Sequence, residues 1–89
     1  MLKITVHQLP NKSRFQLEGK LSGLWVEELN RVWQAESRTS RELEIDLREV
    51  TFVDENGREL LRQIHRQSGA NFVADSPLTQ YFADEARKS

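Results

Sequence analysis

Apolar positions along this chain change period several times, and each change marks an element. Leu2, Ile4 and Val6 alternate with Lys3, Thr5 and His7, the period of a half-buried strand. Leu9-Pro10-Asn11-Lys12-Ser13 reads as a turn, after which Phe15 and Leu17 alternate with Arg14, Gln16 and Glu18. Two short strands across a short polar turn predict an antiparallel hairpin. Gly19-Lys20-Leu21-Ser22-Gly23 ends the second strand, and Ser22 is available to cap a helix. The period then becomes helical. Trp25, Val26, Leu29, Val32 and Trp33 share one side, with Glu27, Glu28, Asn30, Arg31 and Gln34 on the other. Trp33 is expected in the core; Trp25 stands at the helix start, where the spacing does not dictate burial.

Glu36 to Glu42 is polar and reads as a loop. Leu43, Ile45 and Leu47 then alternate with polar residues, and Val50, Phe52 and Val53 prolong a central strand. Asp54-Glu55-Asn56-Gly57 breaks the apolar run. From Leu60 the spacing is helical again, with Leu60, Leu61, Ile64 and His65 on one face. Asn56, with Glu59 three residues on, fits a capping box, and Asp54 is the alternative cap. Acidic side chains at such a start meet the positive end of the helix dipole, worth about 0.3–1 kcal/mol each when exposed. Gly69 suits the left-handed residue that ends a helix. Asn71 to Ala74 makes a short strand, and Ser76 before Pro77 starts a last helix traced by Leu78, Tyr81, Phe82 and Glu85. Ala86 to Ser89 is expected to fray.

The order is therefore strand, strand, helix, strand, helix, strand, helix: an α/β chain whose crossovers predict a largely parallel, mixed four-stranded sheet. The expected core is Ile4, Val6, Phe15, Leu17, Val26, Leu29, Trp33, Ile45, Leu47, Leu60, Ile64, Phe72 and Phe82.

Composition narrows the function. Eighty-nine residues with 37% hydrophobic members suit one domain and one modest core. Thirteen basic residues against 14 acidic leave a net charge of −1, which gives no general reason to bind nucleic acid or an anionic membrane. No cysteine is present, so disulfides, thiolate metal sites and a thiol nucleophile are excluded. Apolar runs are far shorter than the ~20 residues that span a bilayer. The first residues lack the apolar block of a signal peptide. A cytoplasmic protein is expected.

Catalytic chemistry finds few candidates. His7 and His65 are the only histidines, and neither has a ligand at metal-binding spacing. No serine lies in a nucleophile motif, and no glycine loop fits a phosphate. Asp46, Asp54 and Glu55 can gather at the carboxyl end of the central strand, where open α/β sheets place ligands. Helix capping already accounts for two of them. The chain reads as a non-enzyme that needs no cofactor or metal.

Asp46-Leu47 followed by Val50-Thr51-Phe52-Val53-Asp54-Glu55-Asn56-Gly57 resembles the signature of STAS domains, the fold of bacterial anti-sigma factor antagonists. Asp54 and Gly57 match that family's aspartate and glycine, and Gly19 and Leu21 match a Gly-x-Leu pattern before its first helix. The resemblance spans roughly residues 2 to 86. It implies a single STAS-like, SpoIIAA-type domain over residues 1–89 without the last strand and helix usual in the family. The strand Asn71 to Ala74 is therefore expected at one sheet edge and the first strand at the other, and unpaired edges favour self-association or docking into a larger assembly. It also implies a partner, an anti-sigma factor that is a serine kinase, docked around Asp54, Glu55, Asn56, Gly57 and Arg58, with Asp46 in support. Glu55 stands where the family carries its phosphorylatable serine. The expected role is a protein–protein interaction module in bacterial signalling and transcription regulation, not switched by phosphorylation at that position. The alternative is a ligand-binding or scaffold domain of a larger assembly.

Overall fold

The computed structural model describes residues 1–36 and 42–88. Residues 37–41, the middle of the loop expected between Glu36 and Glu42, lie outside the described residues, as does Ser89. The elements are β1 (Leu2–Gln8), β2 (Lys12–Leu21), α1 (Leu24–Glu36), β3 (Glu42–Val53), α2 (Glu55–Ser68), β4 (Asn71–Val73) and α3 (Pro77–Arg87). Their order and type match the sequence periods throughout.

The strands form one sheet in the order β1-β2-β3-β4. β1 pairs antiparallel with β2, while β2–β3 and β3–β4 are parallel, so the sheet is mixed and the outer strands are β1 and β4. Alternation sorts its two faces. Phe15 lies beside Ile45, and Ile45 beside Phe72; this apolar row is buried under the helices. Leu29 and Trp33 of α1, Leu60, Leu61 and Ile64 of α2, and Phe82, Ala83 and Ala86 of α3 join it in one core. Each fully buried aliphatic or aromatic side chain there contributes about 1.5–3 kcal/mol of transfer free energy. The opposite face is polar. Arg14 and Lys12 both pair with Glu44 across β2 and β3. Burial opposes the Glu44 charge, but these two cations hold its carboxyl below the ordinary range.

Most expected core residues are buried, with three adjustments. Ile4 and Val26 are half-buried against the core rather than inside it. Val6 is 37% exposed, because β1 is an outer strand with no further strand beside it. On α3 Phe82 is buried as expected, but Leu78 and Tyr81 are exposed, and the rest of the buried stripe is Thr79, Ala83 and Ala86. Small residues won there because α3 packs closely on α2 and β3. The fray expected from Ala86 is not found there: Ala86 is buried, and the helix runs to Arg87. The core also takes Leu2, Leu21, Leu43, Val50, Val53 and Leu61, which the expected core left out.

Candidate functional site

The corner where β3 ends and α2 begins is built by its first residue. Asp54 is the N-cap of α2, in extended conformation, and its Oδ1 accepts the Gly57 N–H at 2.7 Å. Of the two caps the sequence offered, the aspartate is used. The Asn56–Glu59 box does not form; Glu59 instead pairs with Arg62 and Arg66 along the helix surface. Asp54 also reaches across the molecule. Its Oδ2 accepts the Gly23 N–H at 3.0 Å, just before α1. The start of α1 is thus tied by Asp54 and by backbone bonds from Trp25 to Ser22 and from Val26 to Gly23, in place of a Ser22 side-chain cap. One carboxylate therefore joins the N-termini of two helices, where its charge is favoured by both dipoles.

Gly57 makes this junction possible. It is buried, and a Cβ on it would lie 2.8 Å from the Leu21 carbonyl oxygen and 2.8 Å from Val53 Cγ1. Only glycine lets the first turn of α2 press so closely on the end of β2. The Asp54 N–H donates to that same Leu21 carbonyl at 3.1 Å.

With the cap and the glycine turned inward, the neighbouring side chains are left outside. Glu55, the first helical residue, and Asn56 are exposed. Leu24 is 80%, Trp25 37% and Phe52 48% exposed. Gly23, bonded to Asp54, brings Leu24 and Trp25 near the corner, whereas Phe52 pairs with exposed Lys20, on the sheet face opposite buried Leu21 and Val53. Sequence reasoning did not place these exposed apolar side chains. Phe52 read as a strand residue on a regular period, but Val50 and Val53 are both buried around a shift in the β2–β3 register, and Phe52 is turned out between them.

Arg58 is half-buried in the first turn of α2, where its N–H donates to the Asp54 carbonyl at 2.9 Å. Its charge also acts on Glu85 of α3, whose carboxyl lies below the usual range mainly through Lys88, with Arg62 and Arg58 assisting. Asp46 is not part of the corner. It sits on the polar sheet face opposite Gln16 and Val73, eight residues back along β3, a span of roughly 25 Å in an extended strand. Its carboxylate accepts from the Arg48 N–H at 3.0 Å and from the Arg48 side chain at 3.0 and 2.8 Å. These bonds hold its pKa below the ordinary aspartate value against the cost of burial. The gathering of Asp46, Asp54 and Glu55 does not occur, and no cluster of three or more metal-ligating side chains exists among the described residues. His7 bonds to Gln16, and His65 tilts against Phe72 with ring centroids 6.0 Å apart, so each is used locally.

No protein-family model matches this chain, and no curated protein matches it. Solved structures do. An anti-sigma factor antagonist from Mycobacterium paratuberculosis superposes with a TM-score of 0.81 at 22% identity, over 91% of this chain and 74% of its own. An uncharacterised protein from Shewanella loihica with a SpoIIAA-like fold gives 0.63 at 13% identity, over 90% of this chain and 71% of its own. A protein called Mglu gives 0.67 at 18% identity, over 82% of this chain but 19% of its own. The chain has the STAS-like, SpoIIAA-type fold. Among the described residues no helix is long and apolar enough to cross a membrane.

Proposed function

We propose that this chain is a protein-interaction module of the anti-sigma-factor-antagonist kind, docking a protein partner through the corner at Asp54–Arg58 without catalysing a reaction. The observation that supports it is the exposed Glu55 and Asn56 at the head of α2, at a corner whose Asp54 also holds Gly23, next to exposed Leu24 and Trp25. Exposed aromatic and aliphatic side chains around a charged centre are the ordinary makings of a docking surface. The partner class that suits the fold is an anti-sigma factor with serine-kinase activity, and the working compartment is the bacterial cytoplasm, in transcription regulation.

The chemistry at position 55 sets the mode of docking. Glutamate has no hydroxyl to phosphorylate. It carries one charge where a phosphoserine carries ~1.5–2, and it lacks the third strong acceptor oxygen. The corner is accordingly constitutive: Glu55 sits at the positive end of α2 whether or not a kinase is present. Mimicry of a phosphorylated, released state fits less well, because Asn56 also replaces the family's small residue and Arg58 adds a large side chain next to Gly57.

The test is a titration of a candidate anti-sigma kinase into the unaltered protein and a Glu55→Ser variant, with and without ATP. Unaltered protein is expected to bind equally in both conditions, and the variant to become sensitive to ATP. Radiolabelled phosphate on the unaltered corner peptide, which includes Thr51, would show that another residue has taken over the switch and would overturn the reading.

A further inference from the structure

Backbone parity identifies what the outer side of β1 offers. Lys20 N–H donates to the Met1 carbonyl at 2.9 Å, and Leu9 N–H donates to the Lys12 carbonyl at 2.8 Å. Both bonds fall in the single uninterrupted register that pairs Leu2 with Gly19 and Gln8 with Ser13. In an antiparallel ladder, directly opposed residues alternate between bonded and non-bonded pairs. Lys3, Thr5 and His7 therefore spend their N–H and C=O groups on β2. Those of Leu2, Ile4, Val6 and Gln8 point away from the sheet.

Within its own sequence this edge is lightly protected. β1 contains no proline and no bulge, and its one charged side chain, Lys3, stands near an end. The other edge, β4, is only three residues long. The side chains on the core side of β1 are also incompletely covered: Leu2 is buried, Ile4 half-buried and Val6 37% exposed.

We propose that β1 is a self-docking edge, and that its occupant is β1 of a second copy of this chain, antiparallel about a two-fold axis through Thr5. The argument is self-complementarity. In that register Ile4 lies opposite Val6 of the second copy, Val6 opposite its Ile4, and Leu2 opposite its Gln8. Every outward N–H and C=O of the four residues then meets its complement. The half-buried Ile4 and exposed Val6 of both copies close into one apolar strip under a continuous eight-stranded sheet. A shift by two residues leaves Gln8 without a partner in one direction and in the other sets Leu2 opposite Pro10, which has no N–H. This surface is separate from the α2 corner and does not depend on the reading proposed for it.

The same geometry supplies a test in a protein without cysteine. Thr5 faces Thr5 of the second copy as a non-bonded pair, with a Cα separation of about 4.5 Å, inside the range a disulfide spans. Lys3 and His7 face each other and not themselves. On mild oxidation, Thr5→Cys is expected to form a disulfide dimer at least about tenfold faster than Lys3→Cys or His7→Cys. Sedimentation velocity of the unaltered full chain from about 10 μM to 1 mM should show mass rising toward the dimer. Val6→Pro, which removes only an outward N–H, and Val6→Lys, which places charge on the strip, should each remain monomeric with an unchanged circular dichroism spectrum. If Val6→Pro fails to fold, Val6→Lys decides. A strict monomer over that range, equal or absent cross-linking of the three cysteine variants, or a dimer that survives Val6→Lys would each overturn the proposal. A monomer that instead binds an extended peptide along β1 would overturn it as well.

Discussion

Two strand-to-helix corners in this molecule solve the same problem differently. At both, a helix begins with unsatisfied N–H groups that a side-chain oxygen must cap. At the start of α3, Ser76 accepts from Thr79 N–H at 3.1 Å, and the Thr79 hydroxyl accepts from Ser76 N–H at 3.1 Å. The box closes within four residues, behind Pro77, and Thr79 is buried. At the start of α2, Asp54 accepts from Gly57 and from Gly23, a residue 31 positions away. One corner is complete in itself; the other is a junction between two helices and two strands. The difference teaches where interaction surfaces arise. A junction must turn its cap and its glycine inward, and the residues between them, Glu55 and Asn56, are left outside and free of structural duty.

The largest effect should come from Gly57→Val. Overfilling a closely packed site costs about 1–3 kcal/mol or more, and a β-branched side chain gains little helix propensity over glycine. With the Leu21 carbonyl and Val53 at 2.8 Å from the new Cβ, about 3 kcal/mol is expected. Urea denaturation reads it as a lower midpoint. An unmoved midpoint would mean that α2 does not press on the end of β2, and the junction would lose its basis.

Next comes a direct contrast of the two caps. Ser76→Ala should cost about 1 kcal/mol, the ordinary loss of a cap. Asp54→Ala should cost more, about 2–3 kcal/mol, because two N–H groups lose a charged acceptor. The two variants also differ in reach. Hydrogen exchange at Gly23 should quicken in Asp54→Ala and stay unchanged in Ser76→Ala. Equal costs with Gly23 undisturbed would reduce the α2 corner to a local cap like the other.

The same contrast explains what could be read from the sequence. Features decided within a few residues were legible: the hairpin at Leu9–Asn11, the left-handed Gly69 after α2, and Ser76 before Pro77. The sheet's edges, expected from the family resemblance rather than from any local signal, are β1 and β4. What depends on distant partners was not legible. Asp54 appeared as one of two caps because Gly23 is invisible from position 54. Asp46 was grouped with it because alternation gives a face but not the Arg48 side chain that folds back on it. The α3 stripe escaped because Thr79, Ala83 and Ala86 are buried by close packing rather than by their own hydrophobicity. The exposure of Leu24, Trp25 and Phe52 was not legible either: the spacing left Trp25 open and assigned no face to Leu24 or Phe52.

The smallest expected effect is the most telling for Glu55. If this side chain is spare, Glu55→Gln should remove only its attraction to the α2 dipole, about 0.3–1 kcal/mol at low ionic strength. That loss should fade in high salt, since the screening length falls to about 3 Å at 1 M. Stability of the variant and the unaltered protein, measured by urea at low and high salt, gives the comparison. Asp54→Asn in the same series is a control, because its change alters hydrogen bonds that salt does not screen. A salt-insensitive loss of about 2 kcal/mol or more from Glu55→Gln would place Glu55 among the groups that hold the fold, as hydrogen bonds to a charged group do. Position 55 would then resemble position 76, fixed by its own helix, and the docking surface would have lost its centre. A small, screened loss leaves the carboxylate available for a partner while Asp54 alone bears the junction.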